Sequence, residues 1–128
     1  MTEYYDRAGN KITLDQFASL MTQPEYVRIA KTKGPGWMVS TVWLGLDHSF
    51  GGIDGQSPLI FETMAFIGDD GGSEMLRATS EEDAKRNHDQ MVAEIRRRHE
   101  PAVSPWPGVV GLVAIVLLVG FLGWLVLR

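Results

Sequence analysis

The chain has 128 residues and carries sixteen acidic against twelve basic residues, which gives a formal net charge of −4. This balance argues against a nucleic-acid partner, because neutralising phosphates requires clustered Lys and Arg. No cysteine is present, which excludes a disulfide framework, a thiolate nucleophile and a Cys-based metal site.

The first predicted elements are a short strand and a helix. The tyrosine pair 4–5 precedes a turn signal at residues 9–10, Gly-Asn, which tolerate positive φ. Thr13 then provides a helix N-cap, and Gln16 completes a capping box. Apolar residues at i, i+3, i+4 and i+7 predict one buried helix face, and the helix should stop before Pro24. That face consists of Leu14, Phe17, Ala18 and Met21.

The middle of the chain predicts an antiparallel sheet. Residues 27–32 and 37–44 alternate as strands around the turn signal of residues 34–36, so a hairpin is the simplest interpretation. Residues 59–67 are mostly apolar on both faces, which indicates a central strand. Residues 74–78 predict a shorter strand after a glycine-rich turn.

A second helix is predicted to begin after Ser80. This residue is a good N-cap, and the acidic residues 81–83 lie at the positive end of the helix dipole. The predicted inner face consists of Ala84, His88, Met91, Val92 and Ile95. Residues 1–100 therefore form an α+β domain in this interpretation, a small antiparallel sheet with two packing helices.

The end of the chain predicts a membrane anchor. Residues 101–108 form a Pro-rich linker, and residues 109–127 contain no charged or amide side chain. A helix of that length measures about 28 Å, close to the hydrocarbon thickness of a bilayer. We therefore expect the domain to be followed by one C-terminal transmembrane helix, with the lipid bilayer as a partner.

The residues that flank this segment predict its orientation. Trp106 and Trp124 lie where indoles prefer the membrane interface, and Arg128 can reach the far headgroups. The membrane-proximal basic residues are Arg96, Arg97 and Arg98. Because basic residues are retained on the cytoplasmic side, we expect a single-pass, tail-anchored protein with its N-terminal domain in the cytoplasm.

The long loop of residues 45–58 carries most of the candidate binding residues. These candidates are Asp47, His48, Phe50 and Asp54, together with Glu62 in the next strand. Carboxylates and an imidazole can bind a metal or act as acid and base, but no established metal, phosphate or nucleophile motif is present. We therefore favour a recognition surface, with no catalytic residue, metal or cofactor. Glu62 in a strand interior needs a cross-strand Arg or Lys, such as Arg28 or Arg77.

The segment VSTVWLGLDH at residues 39–48, with FGG at 50–52 and PLIFETM at 58–64, resembles a family of small bacteriophage and bacterial proteins of uncharacterised activity. The resemblance covers about residues 4–95. It implies no catalytic or binding role for any residue, and the C-terminal anchor departs from the soluble form usual in that family.

The sequence as a whole predicts a membrane-tethered, non-enzymatic interaction or accessory protein, phage or prophage encoded, with a protein partner at the cytoplasmic membrane face. Two alternatives remain open. The chain could be an accessory subunit of a larger membrane complex, held through its transmembrane helix. It could also be a small metal-dependent enzyme that uses residues 45–62.

Overall fold

A computed structural model describes residues 2–49, 57–69 and 72–100 of the chain. Within these residues the elements in chain order are β1 (Tyr4–Tyr5), β2 (Lys11–Ile12), α1 (Leu14–Met21), α2 (Pro24–Val27), β3 (Arg28–Gly34), β4 (Trp37–Trp43), β5 (Phe61–Ile67), β6 (Gly72–Ala78) and α3 (Glu81–His99). Strands β1 and β2 form a two-stranded sheet, and the other strands form a four-stranded sheet.

The four-stranded sheet is antiparallel throughout, with the strand order β3-β4-β5-β6. The predicted hairpin is confirmed, because β3 pairs with β4 from Gly34 and Trp37 at the turn. The central position predicted for residues 59–67 is also confirmed, since β5 lies between β4 and β6. Its neighbour β4 alternates strictly between buried and half-buried residues, as a strand with one covered face should.

Helix α3 covers one face of this sheet. It begins as predicted, with the Ser80 hydroxyl accepting a hydrogen bond from the backbone N–H of Asp83 at 3.1 Å. All five residues of its predicted inner face are buried. Met91, Val92 and Ile95 pack on the sheet side that contains Trp37, Val39 and Ala65. Since full burial of one such aliphatic side chain contributes about 1.5–3 kcal/mol, this layer provides much of the core.

The N-terminal elements pack around Trp43 at one end of the covered face. The ring centroid of Trp43 lies 5.7 Å from that of Phe17 and 5.0 Å from that of Tyr26, the latter edge to face. Tyr4 stacks against Phe17 at 4.7 Å. The indole N–H of Trp43 donates to the carbonyl of Tyr5 at 3.0 Å, so this buried indole is also hydrogen-bonded.

Helix α1 forms as predicted, but its inner face differs from the prediction. The capping box of Thr13 and Gln16 is present in both directions. Leu14 and Met21 are nevertheless 57% and 39% exposed, whereas Phe17 and Leu20 pack against the Trp43 cluster. The helix contacts a compact aromatic cluster rather than a broad sheet surface, so only a narrow stripe of α1 is half-buried and none of its residues is fully buried.

The predicted fold class is therefore wrong in its details, although helices and antiparallel strands are both present. The prediction had one small sheet and two helices, whereas the described residues form two sheets and three helices. The additional helix α2 begins at Pro24, which occupies its first turn. Proline fits this position because its fixed φ is helical and its missing N–H would have no intrahelical partner there.

The predicted transmembrane helix and the predicted single-pass localisation, with a cytoplasmic N-terminal domain, are contradicted. No helix in the described part of the chain combines the length and the apolar character needed to cross a bilayer. The longest of these helices, α3, has 19 residues but carries charged side chains in every turn, which are costly in hydrocarbon. The segment on which the prediction depended, residues 109–127, lies outside the described residues.

Arg7 and Glu81 join the N-terminal elements to the start of α3. The Arg7 Nε–H donates to Glu81 Oε2 at 2.8 Å, and a second guanidinium nitrogen contacts Glu81 Oε1. The Arg7 hydrogen bonds lower the pKa of Glu81 to about 2, from an ordinary value of 4.5. Both side chains are about three-quarters buried. The pair thus links two parts of the fold that are far apart in sequence.

We expect this ion pair to stabilise the fold at neutral pH and to lose that effect in acid. Because the folded-state pKa of Glu81 is depressed, its contribution is complete above pH 4.5 and disappears as the pH falls towards about 2. Glu81→Gln should remove about 1–3 kcal/mol at pH 7 and flatten the acid limb of stability against pH. Urea unfolding of the full-length protein between pH 2 and pH 7 measures both effects.

Glu82→Gln is the matched control, because Glu82 lies in the same first turn of α3 but its side chain is 85% exposed. This variant should retain the acid limb of the original chain. If both variants had the same pH profile, the helix dipole rather than Arg7 would explain the effect.

Candidate functional site

Two of the residues predicted in the long loop hold the loop itself together. Asp47 Oδ1 accepts hydrogen bonds from the backbone N–H groups of Ser49 and Leu59, both at 2.9 Å. The Ser49 backbone hydrogen bond is the main cause of the lowered pKa of Asp47. His48 Nδ1 lies 2.8 Å from the carbonyl oxygen of Leu46, so this nitrogen carries the proton and donates. Asp47 therefore links the two ends of the loop.

Glu62 has the cross-strand partner that the sequence indicated. Arg77 lies directly opposite Glu62 in the register of β5 and β6, and its Nε–H donates to Glu62 Oε2 at 3.2 Å. Arg77 also donates from Nη1 to the carbonyl oxygen of His48 at 3.2 Å. The prediction of an arginine partner is confirmed for Arg77, and this arginine connects the sheet to the loop.

The contacts of Asp47, His48 and Glu62 connect the loop to the sheet and are therefore structural. In the part of the chain that the structure describes, no three His, Asp or Glu side chains are grouped so that they could hold a metal ion. The remaining two loop candidates, Phe50 and Asp54, lie outside the described residues.

The three arginines at the end of α3 have different neighbours. Arg98 donates from both terminal nitrogens to Glu74 on β6, at 2.7 and 2.9 Å, and this pairing lowers the pKa of Glu74. Arg97 pairs with Glu94 at 2.7 Å. The Arg96 guanidinium lies 5.8 Å from the ring centroid of Trp37. The other three predicted interface residues, Trp106, Trp124 and Arg128, lie outside the described residues.

A buried histidine lies between α3 and the sheet. His88 is 4% exposed, and its two ring nitrogens each lie 2.8 Å from a threonine hydroxyl, those of Thr32 and Thr41. The Thr41 hydroxyl also lies 2.7 Å from that of Thr63. Burial lowers the pKa of His88, while the charge of Asp89 acts weakly in the other direction. The ring is therefore a neutral core group with both nitrogens satisfied, as its place on the inner helix face predicted.

The second face of the four-stranded sheet is the least expected feature of the molecule. Directly paired residues of antiparallel strands share one side of a sheet, so the register brings one set of apolar side chains together opposite α3. We call this surface the open face; its apolar residues are Met38, Val42, Met64, Phe66 and Met75. No described helix covers them, and Phe66 and Met75 are 38% and 49% exposed.

A row of cations borders the open face along the edge strand β3. Arg28, Lys31 and Lys33 pair in register with Val42, Ser40 and Met38, which places these cations on the open side. All three are exposed. We call them the basic border.

The basic border is not neutralised within the described residues. None of the ion pairs among the described residues involves Arg28, Lys31 or Lys33. Glu62 is the one carboxylate on the open face in the described strands, and it is paired with Arg77. The open face therefore combines an apolar centre with an excess of positive charge along one side.

Part of the open face and of its basic border could be predicted from the sequence. The mostly apolar character of both faces of residues 59–67 was visible, and so was the Lys-Thr-Lys alternation of residues 31–33. The sequence does not predict how many helices pack on the sheet. This number decides whether the second apolar face is buried or open.

Comparisons of the chain with protein-family models, with curated proteins and with solved structures gave no significant match. The resemblance to a family of bacteriophage and bacterial proteins therefore stays a prediction.

Proposed function

We propose that this chain is a non-enzymatic protein-binding domain that contacts its partner through the open face. The observation that supports the proposal is the group of apolar side chains on the side of the sheet opposite α3, with Met75 half exposed. A contiguous apolar surface bordered by charged residues is typical of a protein interface. Methionine suits such a surface, because its flexible, polarisable side chain adapts to different partners.

The contacts of the candidate catalytic residues favour this proposal over the enzyme alternative. Asp47 is bound by backbone N–H groups, and Glu62 is paired with Arg77. His48 donates from Nδ1 to the carbonyl oxygen of Leu46. A general base must instead reach a substrate proton, directly or through one water. Each of these groups therefore has a structural role that competes with a catalytic one.

The proposal predicts that peptide binding depends on Met75. The full-length protein would be used to select binders from a display library of random linear peptides, and the affinities would be measured with the synthetic peptides. Met75→Glu should weaken binding about tenfold or more, because a charge would replace an exposed apolar contact of the interface. Circular dichroism and thermal unfolding would show that the variant is folded.

Leu14→Glu is the matched control, since Leu14 is also apolar and is 57% exposed, but lies on α1 away from the open face. Binding that survives Leu14→Glu and is lost in Met75→Glu supports the proposal. Equal effects of both changes, or failure of the library to yield any binder, would refute it.

A further inference from the structure

Building on the proposed function, we infer that the open face binds an acidic, amphipathic segment of a partner protein. The apolar side chains of this segment contact the methionines of the open face, and its carboxylates contact the basic border. Charge is distributed unevenly over the described residues. The other described cations form ion pairs with carboxylates, except Arg96, which lies over Trp37. The three cations of the basic border stand together on one strand of a chain whose net charge is −4. A partner of opposite charge is thus the complementary one.

A local irregularity of β3 contributes to this row of cations. The register shifts between Arg28 and Ala30, so that Arg28 pairs with Val42 and Ala30 with Thr41. In a regular strand Arg28 and Ala30 would share a side, and Arg28 would be directed towards the core face. The bulge instead places Arg28 on the open side with Lys31 and Lys33, and such bulges commonly redirect a side chain for a purpose.

The geometry of the border limits the shape of the partner. Lys31 and Lys33 are two residues apart on one strand, which separates their Cα atoms by about 6.5–7 Å. The open face then extends from this border to Met75 on β6, across three inter-strand spacings of about 4.8 Å each. A single segment with acidic residues along one side and apolar residues along the other fits this pattern.

Edge-strand lysines also have a simpler explanation, because charges on an edge discourage pairing with other strands. That explanation also covers the bulge, since bulges protect edges as well, but it does not account for the adjacent apolar surface. A nucleic acid is an alternative polyanionic ligand. Proteins that bind single strands stack several aromatic side chains on the bases. The described residues of the open face include one aromatic side chain, Phe66, which argues against this alternative. The acidic protein segment therefore explains more of the surface.

The test extends the peptide selection on the full-length protein. Selected peptides should be enriched in Asp and Glu interspersed with apolar residues, and their affinity should fall as salt is added. The double variant Lys31→Glu with Lys33→Glu should weaken binding about tenfold at low salt. Lys11→Glu with Lys85→Glu, which changes the net charge equally at exposed sites outside the open face, should have little effect.

The outcomes separate this inference from the proposed function. Peptides that lack acidic residues, or that lose affinity with Met75→Glu but not with the border variant, would overturn the inference and leave the open face as a binding site. Binding that is indifferent to Met75→Glu would overturn the proposed function itself. A single-stranded oligonucleotide that competes with the peptide and requires Lys31 and Lys33 would also overturn the inference, in favour of nucleic acid.

Discussion

Gly45→Ala is expected to lower the free energy of unfolding by about 2–5 kcal/mol, a large part of the stability of a small domain. Two separate costs combine at this position. The backbone of Gly45 has φ of +70°, a conformation that a residue with a Cβ adopts only with strain. A Cβ there would also lie 2.6 Å from ring atoms of Phe17 and Trp43. These rings belong to the packed aromatic cluster and cannot move aside freely.

Gly36→Ala isolates the first cost from the second. Gly36 has nearly the same backbone conformation, with φ of +72°, but a Cβ there would meet no atom within 4 Å. This variant should lose about 1–2 kcal/mol from backbone strain alone. Urea unfolding of both full-length variants, followed by circular dichroism, gives the difference. Equal losses would show that the aromatic cluster accommodates the methyl group and that its packing is looser than the structure indicates.

Gly45 also explains why the chain turns where it does. Its carbonyl accepts a hydrogen bond from the backbone N–H of Tyr5 at 2.9 Å, which ties the end of β4 to the N-terminal strand. The sequence places Gly45 at the start of the predicted loop. It could not show that the position is crowded as well as left-handed, because Phe17 lies far away in sequence and reaches the turn only in the folded chain.

Features determined by neighbours in sequence were the most predictable. The capping box at Thr13, the N-cap at Ser80 and the inner face of α3 depend on residues three or four positions apart, and all agree with the structure. The sequence does not predict helix α2, because Pro24 indicates the end of the preceding helix. The same proline also suits the first turn of a new one.

Features determined by the arrangement of strands were less predictable. Arg28 and Arg77 were equally plausible partners for Glu62 from the sequence. The strand order decides between them, because Val42 of β4 lies between Arg28 and Glu62, whereas Arg77 is directly opposite on β6. The open face depends on the same information, and on the finding that the described residues form no second layer of helices over the sheet.

The threonines around His88 form the one polar network in the described core that joins helix to sheet through side chains. Thr41 is fully buried and contacts both His88 and Thr63 through one hydroxyl. A neutral imidazole has one N–H donor and one acceptor nitrogen, so each ring nitrogen needs a partner of the right kind. Since Thr32 satisfies one nitrogen and Thr41 the other, loss of the Thr41 hydroxyl leaves a buried ring nitrogen unpaired.

We therefore expect Thr41→Val to lower the free energy of unfolding at pH 7 by about 1–3 kcal/mol, although valine has nearly the same shape. Thr63→Val is the matched control, because Thr63 is equally buried but its hydroxyl contacts only Thr41 among the described side chains. Its loss leaves the bond between Thr41 and His88 in place, so the cost should be smaller. If the two variants were equally destabilised, the threonine pair alone would account for the network, and His88 would hold its position by packing.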